Sequence, residues 1–360
     1  MERFSCDVTV ISGDRALDAL SEFTGKRLLV VTDPFIRNSP KIQWVLEAAK
    51  PGSSAFFDSV GPEPTMAQAV EGAKFLKKTE AELVVAVGGG NVMNCAKAMV
   101  CFSGKGASLT VIPTAIGCLA ETTERVILTH DRRRHTLRDK RMGPRMVILD
   151  SAFFQGRPDR EMGEGGFALL AGSLEAYTAK NGGILTDLHA KEAFATGWAV
   201  LPAAFSARPL AEKKILMASV MASLACGQGG QGLCAALCGS LETVFHLPQG
   251  RLAAILLPAV IECNSHAAGR KYAELARAAG MGGSSETIGV RNLKNGLIRL
   301  RQELGMPGTL AQAGIPPKTV WSNVRRLVEL TLEEPECRNN PVPVDDYVVR
   351  RILEEAAGRY

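Results

Sequence analysis

The most informative segment for the architecture of this chain is VVAVGGGNVMNCAKAMV, residues 84–100. A run of apolar residues predicts a buried strand and a helical pattern begins at Asn91, with three glycines between them: Gly88, Gly89 and Gly90. This order brings bare backbone N–H groups and a helix N-terminus together, which favours an anion such as a pyrophosphate. We predict a dinucleotide site in which Lys97 reaches back toward the phosphates. The alternative for the three glycines is a tight turn that binds no ligand, and the alternative for Lys97 is an ordinary solvated lysine on a helix.

Short apolar strands and amphipathic helices alternate on both sides of this stretch. Four segments are apolar at nearly every position, as strands covered on both faces are, and two segments between them have helical periodicity. The strands are RLLVVTD (27–33), ELVVAVG (82–88), SLTVIPT (108–114) and RMVILD (145–150), and the helices are KIQWVLEAAK (41–50) and TMAQAVEGAKFLKKT (65–79). The pattern predicts a parallel sheet with helices on both faces, which binds ligands beyond the carboxyl ends of its strands.

The second half of the chain has a different character. From about residue 155 the strand signal disappears, and long Ala/Leu-rich segments such as FALLAGSLEAYTAK (167–180) follow. We therefore predict an α/β dinucleotide-binding domain over residues 1–154 and an all-α domain over residues 155–360, with the active site in a cleft between them.

Composition limits the classes of partner. With 42 basic and 37 acidic side chains, the net charge of +5 does not call for a polyanion, so we expect no nucleic acid. The nine cysteines are irregularly spaced, no signal peptide precedes them, and no apolar run is judged long enough to cross a bilayer. These features predict free thiols and a cytoplasmic protein that does not enter a membrane.

At this point the sequence resembles a known family, the group III or iron-containing alcohol dehydrogenases. VGGGNVMNCAK is similar to their GGGS-x-x-D-x-AK fingerprint, and further segments agree in order along nearly the whole chain. They are GPEPT (61–65), VIPTAIGCLAET (111–122), MVILD (146–150), LTDLHAKEA (185–193), HLPQG (246–250) and LLPAVIECN (256–264). The FHLP motif and KYAELARAAGM (271–281) resemble the 1-propanol dehydrogenase branch of bacterial microcompartments.

The resemblance implies an NAD-dependent enzyme for a small alcohol or aldehyde. Asp33 matches a carboxylate near the adenosine ribose, which favours NAD over NADP; a helix N-cap before Pro34 is the equal alternative. Thr114 belongs to the predicted cofactor loop. Arg134, in the basic run DRRRHTLRDKRMGPR (131–145), matches a lysine that approaches the cofactor, although a solvated loop is also an interpretation of that run.

Family members commonly dimerise, so the resemblance implies a homodimer, in which SCDVTVISG (5–13) is a candidate edge strand for pairing with the partner chain. It also leaves open an association with a microcompartment or with an active paralogue.

The sequence departs from the family where the metal should be. The family holds iron or zinc with one carboxylate and usually three histidines; Asp187 is matched to the carboxylate, whereas Lys191, Ala235 and Gln249 stand at histidine positions. One oxygen ligand cannot hold such an ion, so we expect no metal. Other polar positions are also changed, namely Ala168 and Gly172 of the GmD-x-L-x-HA stretch, Gly239, Asn94, Ile116, Cys118 and Leu119.

Two arrangements are candidates to replace the metal. Asp187 and Lys191 are four residues apart on one helix, so the ammonium is a surrogate cation for an alkoxide, or else half of an exposed ion pair. His246 is a possible proton relay. Cys234 and Cys238 share a helix face near His246, but they lack a fourth zinc ligand and suit packing better.

Two hypotheses about function follow. In the first, the protein is an NAD-linked alcohol dehydrogenase or aldehyde reductase that works without a metal. In the second, it is a catalytically silent nucleotide-binding or assembly subunit. The retained glycine turn and Asp33 favour the first hypothesis, and the altered cleft residues favour the second.

Overall fold

The computed structural model describes residues 4–358, which divide into two compact units. The first unit is Ser5–Arg157, and the second comprises residues 158–358 together with Phe4.

The first unit is built on a six-stranded parallel sheet with the strand order β1-β8-β5-β4-β2-β3. Its strands are β1 (Thr9–Ser12), β2 (Arg27–Thr32), β3 (Ser53–Phe57), β4 (Leu83–Gly88), β5 (Ser108–Pro113) and β8 (Met146–Leu149); β6 (Arg125–His130) and β7 (Arg133–Arg138) form a separate antiparallel hairpin. The four predicted strands and the parallel sheet are confirmed. β1 is an edge strand, as expected, while the other edge strand, β3, was not predicted.

Helices cover the sheet because its central strands bury both faces. The helices of this unit are α1 (Pro34–Arg37), α2 (Pro40–Ala49), α3 (Met66–Thr79) and α4 (Gly90–Ser103), with 3₁₀ turns at Ala16–Phe23, Lys140–Met142 and Ser151–Phe154. Alternate residues of β2 and β4, such as Val30 and Val85, pack with α2 and the first 3₁₀ turn in one apolar cluster. A second cluster joins α3 and α4 to Val126 and Leu128 of the hairpin.

The basic run 131–145 is largely regular structure rather than the solvated loop considered above. Asp131 and Arg132 both have positive φ and form the two-residue turn between β6 and β7, as twisted hairpins require. One face of the hairpin is buried, and its arginines differ in exposure: Arg133 and Arg138 are exposed, whereas Arg134 is half-buried.

Helices are the only regular elements among the described residues of the second unit. Its helices are α5 (Asp159–Thr178), α6 (Ile184–Phe205), α7 (Pro209–Gly229), α8 (Leu233–Phe245), α9 (Gln249–Ala278), α10 (Glu286–Glu303), α11 (Pro317–Ser322), α12 (Val324–Glu333), α13 (Glu336–Asn339) and α14 (Asp346–Ala357). The long helix α9 is its centre. Contrary to the sequence expectation, α9 is long and apolar enough to cross a membrane. However, 72% of its most apolar stretch is buried within the fold, which is typical of the core helix of a globular protein.

Candidate functional site

The glycine turn lies at the carboxyl edge of the parallel sheet. Thr32 of β2 pairs with Val87 of β4, and Gly88 pairs with Pro113 of β5, so Asp33 and Thr114 come directly after the same edge on the two neighbouring strands. The Thr114 N–H donates to the Gly88 carbonyl at 3.1 Å. The predicted cofactor residues of these three strands are therefore neighbours, at the edge where such sheets bind ligands.

Of the three glycines, Gly88 is the one whose close packing a side chain would prevent, whereas Gly89 and Gly90 lie at ordinary contact distance from the loop after β5. A Cβ at Gly88 would lie 2.5 Å from the Cγ2 atom of Val92, and a Cβ at Gly90 would lie 3.5 Å from the Cβ of Cys118. Gly89 is the N-cap of α4 and brings no side chain to it. The Gly90 N–H donates to the Cys118 sulfur, so donors for an anion have to come from the N–H groups that follow it in the helix. This geometry suits a pyrophosphate.

Asp33 caps a helix. Its Oδ1 accepts from the Ile36 N–H at 2.9 Å, and Pro34 occupies the first turn, so the N-cap alternative is confirmed. The carboxylate still lies at the end of β2 next to the glycine turn. The ribose contact stays a prediction.

Two residues of α4 tie the turn to its surroundings. Asn91 is exposed, and its Nδ2 donates to the carbonyl of Pro62 in the GPEPT segment. Lys97 is fully buried, and its Nζ donates to the carbonyls of Ala120 and Thr123, the latter at 2.8 Å. The solvated-lysine alternative is therefore wrong. Its ammonium is engaged beneath the loop after β5, which also argues against a reach back to the phosphates.

Arg134 lies on β7, opposite Thr129 of β6, and is half-buried. The Thr129 hydroxyl donates to Glu63 of the GPEPT segment at 2.7 Å, so this face of the hairpin adjoins the segment that Asn91 also contacts. A role of Arg134 toward the cofactor stays a prediction.

The expected pairing of Asp187 with Lys191 is wrong. The Asp187 carboxylate forms an ion pair with Lys271 of α9, with a distance of 2.9 Å between Oδ2 and Nζ. The Lys271 ammonium also lies 4.9 Å from the ring centroid of Tyr177. Lys191 is half-buried near Glu274, whose pKa it helps to lower, after the larger effect of a hydrogen bond from Tyr177. The local four-residue rule was overridden by the packing of α6 on α9.

The geometry also contradicts a shared metal site for Asp187 and Gln249. Asp187 contacts Lys271, and Lys271 lies about 22 residues after Gln249 on the same helix, which corresponds to about 33 Å. One ion cannot bridge that distance. Lys191, one turn from Asp187, is equally remote from Gln249 and is no surrogate for an ion there.

Four other altered positions, Ala168, Gly172, Ala235 and Gln249, lie on helices that pack together, since α5 contacts both α8 and α9. At the beginning of α5, the carbonyl of Glu164 lies so close to Gly250 that a Cβ there would be 1.8 Å away. The Arg251 Nε atom also donates to Glu164 Oε1 at 2.8 Å. Only glycine permits this approach of the two backbones.

The end of α5 holds the beginning of α8. The buried Glu175 carboxylate accepts from the backbone N–H groups of Cys234 at 2.6 Å and Ala235 at 3.1 Å, which satisfies donors that a helix N-terminus leaves free. Burial raises the pKa of Glu175 to about 7, although these hydrogen bonds oppose the shift. Glu175 was not singled out from the sequence.

Ala168 and Gly172 follow Glu164 by one and two turns on the same face of α5. They therefore lie between the contact with α9, where Gln249 begins the helix, and the contact with α8, which carries Ala235. The Cys238 thiol lies 3.7 Å from the Gln249 carbonyl and closes this arrangement. We call Ala168, Gly172, Ala235 and Gln249 the small-residue pocket.

The side chains of the small-residue pocket do not fit iron or zinc. Ala168, Gly172 and Ala235 carry no donor atoms in their side chains, and the Gln249 amide donates to Glu242 Oε2 at 2.8 Å. Among residues 4–358, no group of three or more His, Cys, Asp or Glu is placed to hold a metal. The pKa of Cys234 is raised by a hydrogen bond to Cys238 and by burial, which keeps it a thiol rather than a thiolate ligand.

His246 and His189 have different surroundings. His246 ends α8 in a left-handed conformation, with φ at 55°, and is exposed three residues before Gln249. His189 stacks on Phe4 and its Nδ1 lies 2.7 Å from the Leu185 carbonyl. Of the residues predicted to act in catalysis, His246 is the one that adjoins the small-residue pocket.

A parallel sheet with a glycine turn at its carboxyl edge, followed by an all-helical unit, defines a class of two-part α/β and all-α oxidoreductases. The chain belongs to the iron-containing alcohol dehydrogenase family. Residues 8–151 match the family model described as iron-containing alcohol dehydrogenase, and residues 164–357 match the model of the Fe-containing alcohol dehydrogenase family, C-terminal.

Characterised relatives agree with this assignment. The chain is 28% identical to the 1-propanol dehydrogenase PduQ of Salmonella typhimurium, over 99% of this chain and 100% of that protein. The fold is similar to that of a 1,3-propanediol oxidoreductase (TM-score 0.92, 22% identity, 99% and 100% of the two chains). It is also similar to that of sulfoacetaldehyde reductase from Bifidobacterium kashiwanohense in complex with NAD⁺ (TM-score 0.87, 22% identity, 99% of each chain).

Proposed function

We propose that this chain is an NAD(H)-dependent alcohol dehydrogenase or aldehyde reductase that acts on a small substrate without iron or zinc. The observation that carries the proposal is the glycine turn at residues 88–90, which opens α4 at the sheet edge between Asp33 and Thr114. The activity named for PduQ supports the substrate class, and the NAD⁺ complex of a structural neighbour supports the cofactor.

Asp33 is proposed to select NAD over NADP. A carboxylate at this position accepts hydrogen bonds from the ribose hydroxyl and repels a 2′-phosphate. We expect the wild-type protein to have a lower Kd for NADH than for NADPH. In Asp33→Asn, the difference between the two Kd values should be smaller. Asparagine is also a good N-cap, so this variant keeps the bond to the Ile36 N–H and isolates the charge.

The small-residue pocket lacks a donor set for a Lewis acid, so another group must protonate the developing alkoxide. We assign that role to His246, which lies at the turn before Gln249. His246→Asn tolerates the left-handed backbone. It is expected to lower kcat and to leave the Kd for NADH unchanged; an unchanged kcat contradicts the assignment.

One purified sample tests the proposal as a whole. Metal analysis, calorimetry with NADH and NADPH, and a screen of short aldehydes and alcohols are carried out on it, with and without a chelator. We expect binding of NADH, substoichiometric iron and zinc, and turnover that the chelator leaves intact. Stoichiometric metal whose removal abolishes turnover contradicts the metal-free proposal, and absence of NADH binding contradicts the cofactor.

A second candidate is a silent nucleotide-binding or assembly subunit. It is favoured by the small-residue pocket, which offers no set of donors to hold a metal that would activate a carbonyl. Binding of NADH without turnover of any tested substrate would support that candidate. A homodimer that pairs through edge strand β1, and association with a microcompartment or a paralogue, remain proposals that sedimentation and co-purification test.

A further inference from the structure

Lys97 is a buried cation that the proposed reaction does not use. It lies seven residues after Gly90 on α4, on the order of 10 Å from the glycine turn, and its side chain is fully buried. Lysine is almost never buried in this way unless it is paired. Its partners therefore indicate what the residue does.

The ammonium is bound to one short segment of the chain. Its Nζ donates to the carbonyl of Ala120, to the carbonyl of Thr123 at 2.8 Å and to the hydroxyl of Thr123 at 3.3 Å, which uses the three donors of a lysine. Glu121 between them is also fully buried and interacts electrostatically with Lys97. Its Oε2 accepts from the Ala120 N–H at 2.9 Å.

This segment is the far end of the loop 114–123, whose near end forms one wall of the glycine turn. A Cβ at Gly89 would lie 4.0 Å from the Cβ of Ala115, and one at Gly90 would lie 3.5 Å from that of Cys118. Leu119 lies between the residues that face the glycine turn and the residues that Lys97 binds. Its φ is 53°, a backbone conformation that is costly for leucine and persists only where surrounding contacts impose it.

We propose that the buried Lys97–Glu121 pair is a positioning device that fixes the loop 114–123 as a wall of the cofactor cradle. The inference rests on the proposed function, because it takes the loop 114–123 to border a bound dinucleotide. Lys97 acts through the loop and touches no ligand. Burial lowers the pKa of Lys97 to about 7; the charge of Glu121 opposes this shift and that of Arg125 adds to it. The hydrogen bonds from Lys97 to the loop should therefore weaken when either Lys97 or Glu121 is replaced.

Two variants and a control test the pair. Lys97→Met removes the cation, whereas Glu121→Gln keeps an acceptor for the Ala120 N–H and removes only the charge, so it preserves the fold if Lys97→Met does not. Lys105→Met is the matched control, since Lys105 is exposed just after α4. The readouts are hydrogen exchange of peptides covering residues 114–124 without cofactor, and steady-state kinetics with NADH.

We expect faster exchange in the loop but not in β2 or β4, and a KM for NADH raised about ten-fold, with kcat at saturating NADH within about two-fold. The control should match wild type. Unchanged loop exchange overturns the inference, and so does faster exchange with unchanged KM. Wild-type protein that binds no NADH instead refutes the proposed function, while the exchange measurement still decides whether the pair anchors the loop.

Discussion

Replacement of Glu175 by glutamine should change the pH dependence of stability in a defined direction. The carboxyl is buried where it holds the N-terminus of α8, and burial raises its pKa from 4.5 to about 7. A raised pKa means that the folded state binds the proton more tightly than the unfolded state. The associated stability is therefore fully present below about pH 4.5 and is lost as the pH rises through 7.

The magnitude follows from the size of this shift. At 1.36 kcal/mol per pKa unit, the change from 4.5 to about 7 corresponds to about 3 kcal/mol, for a group that solvent does not screen. Glu175→Gln resembles the protonated carboxyl but does not titrate. Its deficit relative to wild type should therefore shrink by about 3 kcal/mol between pH 4.5 and 8, which for a unit of this size is about 6–12 °C in Tm.

Thermal unfolding of both proteins across this pH range measures the difference. Other titrating groups are common to the two proteins and cancel. Glu262→Gln is the control of opposite sign, because a hydrogen bond from Lys294 lowers the pKa of Glu262 and the wild-type advantage there should grow with pH. A Tm difference for Glu175→Gln that is constant with pH, or that grows as pH rises, refutes the assignment of a raised pKa.

Further predictions concern packing and charge in the helical unit. Gly250→Ala should destabilise this unit by about 1–3 kcal/mol or more, because the new Cβ would lie 1.8 Å from the Glu164 carbonyl. The measurement is the Tm, and an unchanged Tm would contradict the close contact between the backbones of Glu164 and Gly250. In double-mutant cycles at low salt, Asp187→Asn and Lys271→Met should show a coupling of about 0.5–1 kcal/mol in the free energy of unfolding. The coupling is small because both side chains are partly exposed. The cycle of Asp187→Asn with Lys191→Met should show almost none. The reverse result would restore the pairing expected from sequence.

The sheet was predictable because its central strands are buried on both faces and therefore carry unbroken apolar runs. The edge strand β3 was not, because Ser53 and Ser54 are exposed and leave it only three apolar residues. Lys97 carried a signal that was overlooked. It is preceded by Cys95 and Ala96 and followed by AMV, so its helix is apolar nearly all round, which is typical of a buried helix.

The candidate site was predictable only where its parts are local in sequence. The glycine turn, α4 and Asp33 follow their strands directly, and strand register alone places them together. The partner of Asp187 is 84 residues away and depends on how α6 packs against α9, which no spacing rule reports. The match of Asp187 to a metal ligand came from motif resemblance, and the ion pair with Lys271, far along α9 from Gln249, argues against it.

The proposal that the small-residue pocket stands where the family holds its metal can be tested by introducing donors there. If Asp187 supplied the carboxylate, Ala235→His with Gln249→His would suffice for three donors. Asp187 instead pairs with Lys271, which follows Gln249 by about 33 Å of helix, so it is too remote to share an ion with residue 249 and this double variant should bind no zinc. Adding Ala168→Asp puts the third donor in the small-residue pocket, and three protein ligands with a water complete a tetrahedral zinc site. The triple variant should therefore bind zinc, and its Tm should rise with zinc concentration, because an ion that binds only the folded state stabilises it. Zinc binding by the double variant that the further change Asp187→Asn abolishes would show that α9 does not separate Asp187 from Gln249, since Cys238 and Glu242 also lie near residue 249.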